Sequence, residues 1–142
     1  LASGTSDVEL PSGYFNAHEL EAVLNALPYD ITYVNADDRV QYFSEGKHRV
    51  FPRTRTIIGR LVEDCHPPKS LDRVLAVVDS FKSGERDEEH FWIQKDGLFI
   101  LIRYYAVRDD EGKYLGVVEV TEEISGLRGL EGSKTLVEGF SA

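Results

Sequence analysis

Three β-rich segments separated by tight turns close the chain, and they constrain its fold more than any other feature. Residues 86–94 lead into Lys95-Asp96-Gly97, a sequence typical of a hairpin turn. Residues 98–108 form the longest predicted strand, residues 109–112 turn the chain again, and residues 113–122 form the last strand. Because such short turns join antiparallel strands, the three segments are expected to form an antiparallel meander.

Two further strands are predicted nearer the N terminus. Residues 31–34 are β-branched or aromatic, and residues 35–38 have turn chemistry. Residues 39–43 then alternate polar and apolar side chains, as a half-buried strand does. Together these segments predict a hairpin.

Two helices are predicted from capping and periodicity. Asn16 and Glu19 have the spacing of a capping box, and Pro28 ends the helix that follows. Its apolar stripe consists of Leu20, Val23, Leu24 and Leu27. The second helix is predicted to begin after Ser70 and to end at Gly84. Its stripe consists of Leu71, Val74, Leu75, Val78 and Phe81.

The segment 44–84 must join the early hairpin to the later meander. Proline and glycine residues interrupt residues 44–69, so only short helical turns are expected there before the second helix. A connection of this length would cross one face of the sheet and enclose an interior suited to a ligand. The predicted fold is α+β, a five-stranded antiparallel sheet with a helical crossover on one face and an N-terminal amphipathic helix.

The predicted organisation is one domain with two flanking segments. Residues 1–15 are small and polar and are interpreted as a linker, and residues 16–125 form the domain. Residues 126–142 form a C-terminal helical or frayed tail. Its glycines weaken a helix that the spacing of Ile124, Leu127 and Leu130 would otherwise favour.

Composition excludes several classes of function. A formal net charge of −9 argues against nucleic acid as the main partner. A single cysteine favours a reducing, cytoplasmic location, and no apolar run approaches the ~20 residues that span a bilayer. Because the chain has no Met and begins at Leu1, we expect it to be a piece of a longer protein.

Charge is distributed unevenly along the chain. Residues 1–38 have seven acids and no Lys or Arg, whereas residues 39–60 have six bases and one acid. Residues 61–142 are acidic again. The basic segment lies in the predicted crossover, where it could hold an anionic ligand or simply form a solvated face that balances nearby acids.

Several motifs resemble those of PAS sensor domains. They are Ile57-Ile58-Gly59-Arg60 with His66-Pro67, the segment 111–120, and Glu123-Ile124-Ser125 at the link to the output helix. A narrower set, in segments 10–13, 27–34, 42–46 and 65–70, looks like the C-terminal PAS domain of bacterial proteins that also carry a hemerythrin-like domain. The resemblance covers roughly residues 10–125. Glu123 and Ser125 depart from the Asp and Thr that are common in this family.

The resemblance implies a sensory module that binds a small molecule in its core. It further implies a homodimer, terminal helices that relay the signal, and a covalently linked effector domain outside this chain. The phase of the predicted crossover elements turns Phe43, Phe51, Leu61, Val74, Leu75 and Val78 towards the sheet. The predicted ligand site comprises these residues together with Cys65, His66, Leu71, Ile102, Arg103 and Tyr104. Sequence leaves open which face of strand 98–108 points inward, and therefore whether Arg103 is a ligand handle or an ion-pair member.

The cofactor is not defined by the sequence, and haem is one possibility. If haem binds, His66 is the first expected ligand and His48 the second. The alternative is a structural histidine beside two prolines. Cys65 lacks the Asn-Cys-Arg context of light-sensing PAS domains, so a small buried residue or a free thiol is the simpler interpretation. No spacing of His or Cys indicates a dedicated metal site.

Three functions therefore remain to be compared with the structure. The preferred one is a sensory PAS module, and the alternative is a haem-binding redox or gas sensor that uses His66. A small enzyme in the same pocket is the third. Glu45, Glu63 and Asp64 are the candidate acids for such an enzyme, although solvated loop acids explain them equally well. The expectation is that the chain is not an enzyme.

Overall fold

The computed structural model describes residues 7–47 and 49–136. Its main elements follow in this order: β1 (Val8–Leu10), β2 (Gly13–Phe15), α1 (Ala17–Ala26), β3 (Asp30–Asn35), β4 (Val40–Phe43), α2 (Pro68–Lys82), β5 (Glu88–Lys95), β6 (Leu98–Arg108), β7 (Tyr114–Glu123) and α3 (Ser125–Arg128). Strands β4-β3-β7-β6-β5 form one antiparallel sheet in that spatial order. The predicted α+β class and five-stranded sheet are confirmed.

Local sequence chemistry explains how α1 begins. The Asn16 side chain accepts a hydrogen bond from the Glu19 amide at 2.8 Å. The Glu19 carboxylate accepts one from the Asn16 amide at 3.0 Å. The predicted capping box is therefore confirmed, and it satisfies two amides that the first helical turn leaves unpaired.

Helix α2 begins earlier than predicted. Pro67 is its N-cap and Pro68 its first residue, so Ser70 lies inside the first turn and is not the cap. Proline suits the first helical position because its missing N–H would have no partner there. At the other end Gly84 adopts a left-handed φ of +80°, as predicted for the residue that follows the helix.

Strand pairing decides which residues share a face of the sheet. Thr32 on β3 lies opposite Glu119 on β7, and Glu119 lies opposite Tyr104 on β6. Helix α2 packs on this face, which we call the inner face, through buried Val77, Val78 and Phe81. The hydrophobic core therefore lies between α2 and the inner face.

A buried carboxylate attaches the crossover to the sheet. Asp30 is 2% exposed, and its Oδ2 accepts hydrogen bonds from the amides of Val50 at 2.6 Å and Phe51 at 2.9 Å. The Arg49 guanidinium lies 3.9 Å from the same oxygen. These contacts hold the irregular segment after β4 against the start of β3.

Both flanking segments contain short regular elements. Within the predicted linker, β1 and β2 pair as a hairpin. In the described part of the predicted tail, residues 126–136, the helix is limited to the single turn α3, and residues 129–136 are exposed apart from half-buried Thr135. The ends of the chain, residues 1–6 and 137–142, lie outside the described residues. No helix among residues 7–47 and 49–136 combines the length and apolar character needed to cross a bilayer.

Candidate functional site

A small cavity lies between α2 and the inner face of the sheet. Its volume is about 40 Å³, which is room for two or three water molecules. Apolar side chains from the sheet and α2 form much of its wall: Val34, Val40, Val74, Val77, Val78 and Val117. Polar side chains complete it: Thr32, Arg53, Cys65, His66, Tyr104 and Glu119. The cavity is therefore mostly apolar with one polar side.

An ion pair forms the polar side of this cavity. Arg53 from the crossover donates a hydrogen bond to Glu119 of β7 at 3.2 Å. The two side chains are only 17% and 12% exposed. Burial, with the Glu119 carboxylate as neighbour and hydrogen-bond partner, raises the pKa of Tyr104 well above its usual range. Tyr104 is therefore neutral across the ordinary pH range.

Two polar atoms beside the ion pair have no hydrogen-bond partner among the described residues. They are the hydroxyl oxygen of Thr32 and Nε of Arg53, and both are buried. Both belong to side chains that line the cavity. A buried polar group without a partner costs about 1–3 kcal/mol, so a polar molecule in the cavity would be stabilised here.

An outer groove adjoins the cavity at the start of α2. Its volume is about 170 Å³, and its walls are Ser70, Arg73, Val74, Val77, Phe91, Ile102 and Tyr104. Three of these residues, Val74, Val77 and Tyr104, also line the cavity. Tyr104 packs edge-on against Phe91 with the ring centroids 6.0 Å apart. The Tyr104 side chain is therefore part of the wall that the two spaces share.

Seven of the twelve residues predicted to line the site line the cavity or the groove, or lie on the inner face of the sheet. Cys65, His66, Val74, Val78 and Tyr104 line the cavity, and Ile102 lines the groove. Phe43 lies on the inner face opposite Thr32 and is 6% exposed. The periodicity of α2 and the pleat of β4 and β6 account for these placements.

The other predicted residues lie elsewhere. Phe51 borders a separate cleft near the β5–β6 turn. Leu61, Leu71 and Leu75 are half-buried and line neither the cavity nor the groove.

Arg103 was predicted to line the ligand site, and the structure places it elsewhere. It lies on the opposite face of β6 from Tyr104, where it donates a hydrogen bond to Glu122 at 2.7 Å. Register explains the difference, because neighbouring residues of a strand point to opposite faces. Arg103 is thus an ion-pair member of the outer face, one of the two roles that sequence left open.

Sequence reasoning missed three polar residues that the structure brings together. Thr32, Arg53 and Glu119 come from β3, the crossover and β7. For Glu119 a signal existed, since it alternates with apolar Val118 and Val120 in a predicted strand. An acid flanked in this way usually marks the solvent face, so only the strand register reveals that Glu119 points inward.

The residues present do not fit a haem group in this arrangement. Ring nitrogen Nδ1 of His66 lies 2.9 Å from the Val62 carbonyl oxygen, and the ring lines the cavity. However, sites for larger ligands have volumes of about 300–1,000 Å³, and this cavity has about 40 Å³. A haem would also have to displace the Arg53–Glu119 ion pair. The second expected ligand, His48, lies outside the described residues.

The acids considered for catalysis are not assembled into a site. Arg55 donates two hydrogen bonds to the Glu45 carboxylate, and this hydrogen bonding lowers the pKa of Glu45. Glu63 and Asp64 are exposed. Cys65 donates to the Leu61 carbonyl at 3.5 Å. No group of three potential metal ligands occurs in the part of the chain that the structure describes.

The strand that contributes Glu119 also holds the start of the C-terminal segment. Glu123, at the end of β7, accepts hydrogen bonds from the backbone amides of Phe99 and Ser125, both at 2.9 Å, and from the Ser125 hydroxyl. The Arg128 guanidinium lies 4.0 Å from the centre of the Phe99 ring. These contacts attach helix α3 to the first residues of β6.

Solved structures from several bacteria have the same fold. A C-terminal domain from Streptococcus mutans is 38% identical, with a TM-score of 0.83, and the match covers 89% of this chain and 98% of that one. A sensory box sensor histidine kinase from Vibrio cholerae is 15% identical, with a TM-score of 0.54 and coverage of 76% and 91%. The Aer2 receptor from Vibrio cholerae, described as a dual PAS-heme oxygen sensor, is 15% identical, with a TM-score of 0.50 and coverage of 68% and 95%.

The comparison with protein families is more direct. No curated protein matches the chain. The model of one PAS domain family matches residues 20–125, which include β3 to β7 and α2. The chain therefore belongs to the PAS domain family.

Proposed function

We propose that this PAS domain is the sensory module of a larger signalling protein. It binds a small molecule between α2 and the inner face of the sheet and relays its presence to the C-terminal segment. One observation supports this proposal above the others. Glu119, which lines the cavity, and Glu123, which holds the start of α3, lie on the same face of β7.

The proximity of these two residues suggests a relay. A ligand that changes the Arg53–Glu119 ion pair would shift β7, and the hydrogen bonds of Glu123 would then change at the start of α3. The effector domain that receives the signal is proposed to lie elsewhere in the same polypeptide, outside this chain. The sequence resemblance suggests that the parent protein also contains a hemerythrin-like domain.

A homodimer is proposed as the signalling form. Val23 and Leu27 of α1 are 44% and 39% exposed although they belong to its apolar stripe. Tyr14, in the hairpin before α1, is 70% exposed. A second copy of the chain could cover these side chains. Size-exclusion chromatography with light scattering tests the homodimer. Val23→Glu should lower the dimer fraction. A wild-type protein that is only monomeric at high concentration would contradict the proposal.

Ligand binding can be tested on the purified protein. Native mass spectrometry with an absorption spectrum should detect a small molecule that co-purifies. A substitution at the cavity, Thr32→Val, should reduce its occupancy. The matched control is Thr135→Val, a half-buried threonine in the C-terminal segment beyond α3. Absence of any co-purifying molecule, together with no binding of small probes near α2, would contradict the proposal.

A haem sensor is the second candidate, because His66 lines the cavity. The small volume argues against it. Adding haem to the purified protein should therefore give no Soret band that depends on His66, so the wild type and His66→Ala should have the same spectrum. A band that depends on His66 would instead favour the haem sensor.

A further inference from the structure

The charge balance of the cavity indicates the chemical class of its ligand. We propose that the interior selects an uncharged molecule with one ring and with adjacent hydrogen-bond acceptor and donor groups, such as an aromatic carboxamide, and that it discriminates against carboxylates. This inference rests on the proposed function, since it concerns the ligand of the same site.

The charges beside the cavity are already balanced. Arg53 and Glu119 neutralise each other in a place where both are nearly buried. A ligand carboxylate would therefore add a third charge without a cation of its own. Burying such a charge is costly, whereas a neutral polar group avoids this penalty. Arg73 at the mouth of the groove is exposed, so water screens its attraction for an anion.

Hydrogen-bonding groups beside the cavity match those of a carboxamide. Arg53 Nε is a donor, and the Thr32 hydroxyl can donate or accept. Both lack a partner among the described residues and could bind a ligand carbonyl. The Glu119 carboxylate has more acceptor capacity than its contacts with Arg53 and Tyr104 use, so it could also accept from a ligand N–H. A carboxamide supplies both groups side by side.

The volumes of the groove and the cavity suit a ring and a small polar group, respectively. The groove of about 170 Å³ is similar to a cavity of about 150 Å³ that is known to bind benzene. Its walls include Val74, Val77, Phe91 and Ile102, which would contact a ring. The cavity of about 40 Å³ shares Val74, Val77 and Tyr104 with the groove and is large enough only for a small polar group.

Of the other polar residues of the cavity, His66 and Cys65 bind the backbone, and Tyr104 hydrogen-bonds to Glu119. His66 Nδ1 is within hydrogen-bonding distance of the Val62 carbonyl, and the Cys65 thiol donates to the Leu61 carbonyl. The Arg53–Glu119 pair with Thr32 is therefore the recognition element of the cavity.

Three probes of similar size separate these contributions: benzamide, benzoate and toluene. Binding is measured by titration of each probe into ¹⁵N-labelled protein, with the amide shifts of α2, β6 and β7 as readout. Benzamide should bind at these amides, and benzoate should bind more weakly by about tenfold or more. Toluene, which has no hydrogen-bonding group, should change the amide shifts around the groove but not those near Thr32 and Glu119.

A charge substitution should reverse the preference. In Glu119→Gln the Arg53 cation loses its partner, so benzoate should gain affinity and bind better than benzamide. Glu122→Gln is the matched control, because Glu122 belongs to the same strand but pairs with Arg103 on the outer face. It should leave the preference unchanged. If Glu119→Gln does not fold, Thr32→Val replaces it and should weaken benzamide but not toluene.

The outcomes distinguish the class of ligand from the existence of the site. Preference for benzamide that reverses in Glu119→Gln supports the inference. Binding of benzoate as tight as that of benzamide at the same amides, or an unchanged preference in Glu119→Gln, overturns it and leaves the ligand site intact. Failure of all three probes to bind near α2 counts against both the inference and the proposed function.

Discussion

Glu119 and Glu123 lie four residues apart on one face of β7, and their carboxylates bind different parts of the molecule. Glu119 pairs with Arg53 of the crossover at 3.2 Å. Glu123 accepts hydrogen bonds from the amides of Phe99 and Ser125, where the C-terminal segment leaves the sheet. One strand therefore connects the interior to the start of α3.

The first prediction concerns the Glu123 contacts. Glu123→Ala should loosen α3, because the amide of Ser125 loses its acceptor. Amide hydrogen exchange in residues 125–128 should become faster while exchange in the centre of β7 stays slow. Glu122→Ala, one residue away on the other face, is the control. Equal exchange in wild type and Glu123→Ala would show that these hydrogen bonds do not hold the turn.

The same carboxylate predicts a pH dependence. Hydrogen bonds from the Ser125 hydroxyl, the Ser125 amide and the Phe99 amide lower the pKa of Glu123 in the folded chain. A lowered pKa means that the stabilisation is complete above the ordinary carboxyl pKa and is lost as the pH falls through the lowered value. The protection of the α3 amides, corrected for the intrinsic exchange rate at each pH, should therefore fall as the pH drops below the ordinary carboxyl pKa. This loss of protection should be absent in Glu123→Ala.

The next prediction concerns Asp30. Asp30→Asn should lower the free energy of unfolding by about 2–4 kcal/mol, because a buried carboxylate that accepts two backbone amides beside Arg49 is lost. Urea denaturation measures the change. Asp37→Asn, an exposed acid in the β3–β4 turn, should change stability by less than about 0.5 kcal/mol. Similar values for the two variants would contradict this account of how the crossover is attached.

A further prediction concerns Gly116 in β7. Its φ is +150°, and a Cβ atom there would lie 2.2 Å from the Val34 carbonyl oxygen. Gly116→Ala should therefore lower the free energy of unfolding by about 2–4 kcal/mol. Gly112, at φ +84° with no atom near an added Cβ, isolates the backbone effect. Gly112→Ala should cost about 1 kcal/mol, and a larger loss at Gly112 than at Gly116 would refute the steric argument.

Tyrosine ionisation supplies the last prediction. Burial raises the pKa of Tyr104 well above its usual range and, mainly by burial, that of Tyr114 to about 12. A raised tyrosine pKa stabilises the fold below the ordinary value, and the stabilisation is lost as the pH rises towards the raised one. Ultraviolet titration should show a late group of tyrosines that ionises only with unfolding. Tyr104→Phe should reduce this late group by one residue, and an unchanged titration would contradict the buried position.

Local patterns were enough to predict much of the fold. The capping box of Asn16 and Glu19, the Asp96-Gly97 turn and the apolar stripe of α2 all depend on neighbours within a few residues. The start of α2 was predicted three residues late. A serine is a common N-cap, yet here Pro68 already meets the requirements of the first helical position.

The candidate site was harder to predict because its polar side comes from three distant segments. Cys65, His66 and Val74 were found from the position of the crossover and the helical period. Arg53 and Glu119 were not, since 66 residues separate them and each alone resembles a surface charge.

The sequence by itself determined the elements, their order and the antiparallel hairpins, because these follow from local propensity, turn chemistry and short connections. Only the tertiary structure decided which face of β6 and β7 meets α2. Shifting a strand by one residue exchanges its two faces, so register depends on long-range packing. That register turns Glu119 and Tyr104 towards the interior and Arg103 towards the outside.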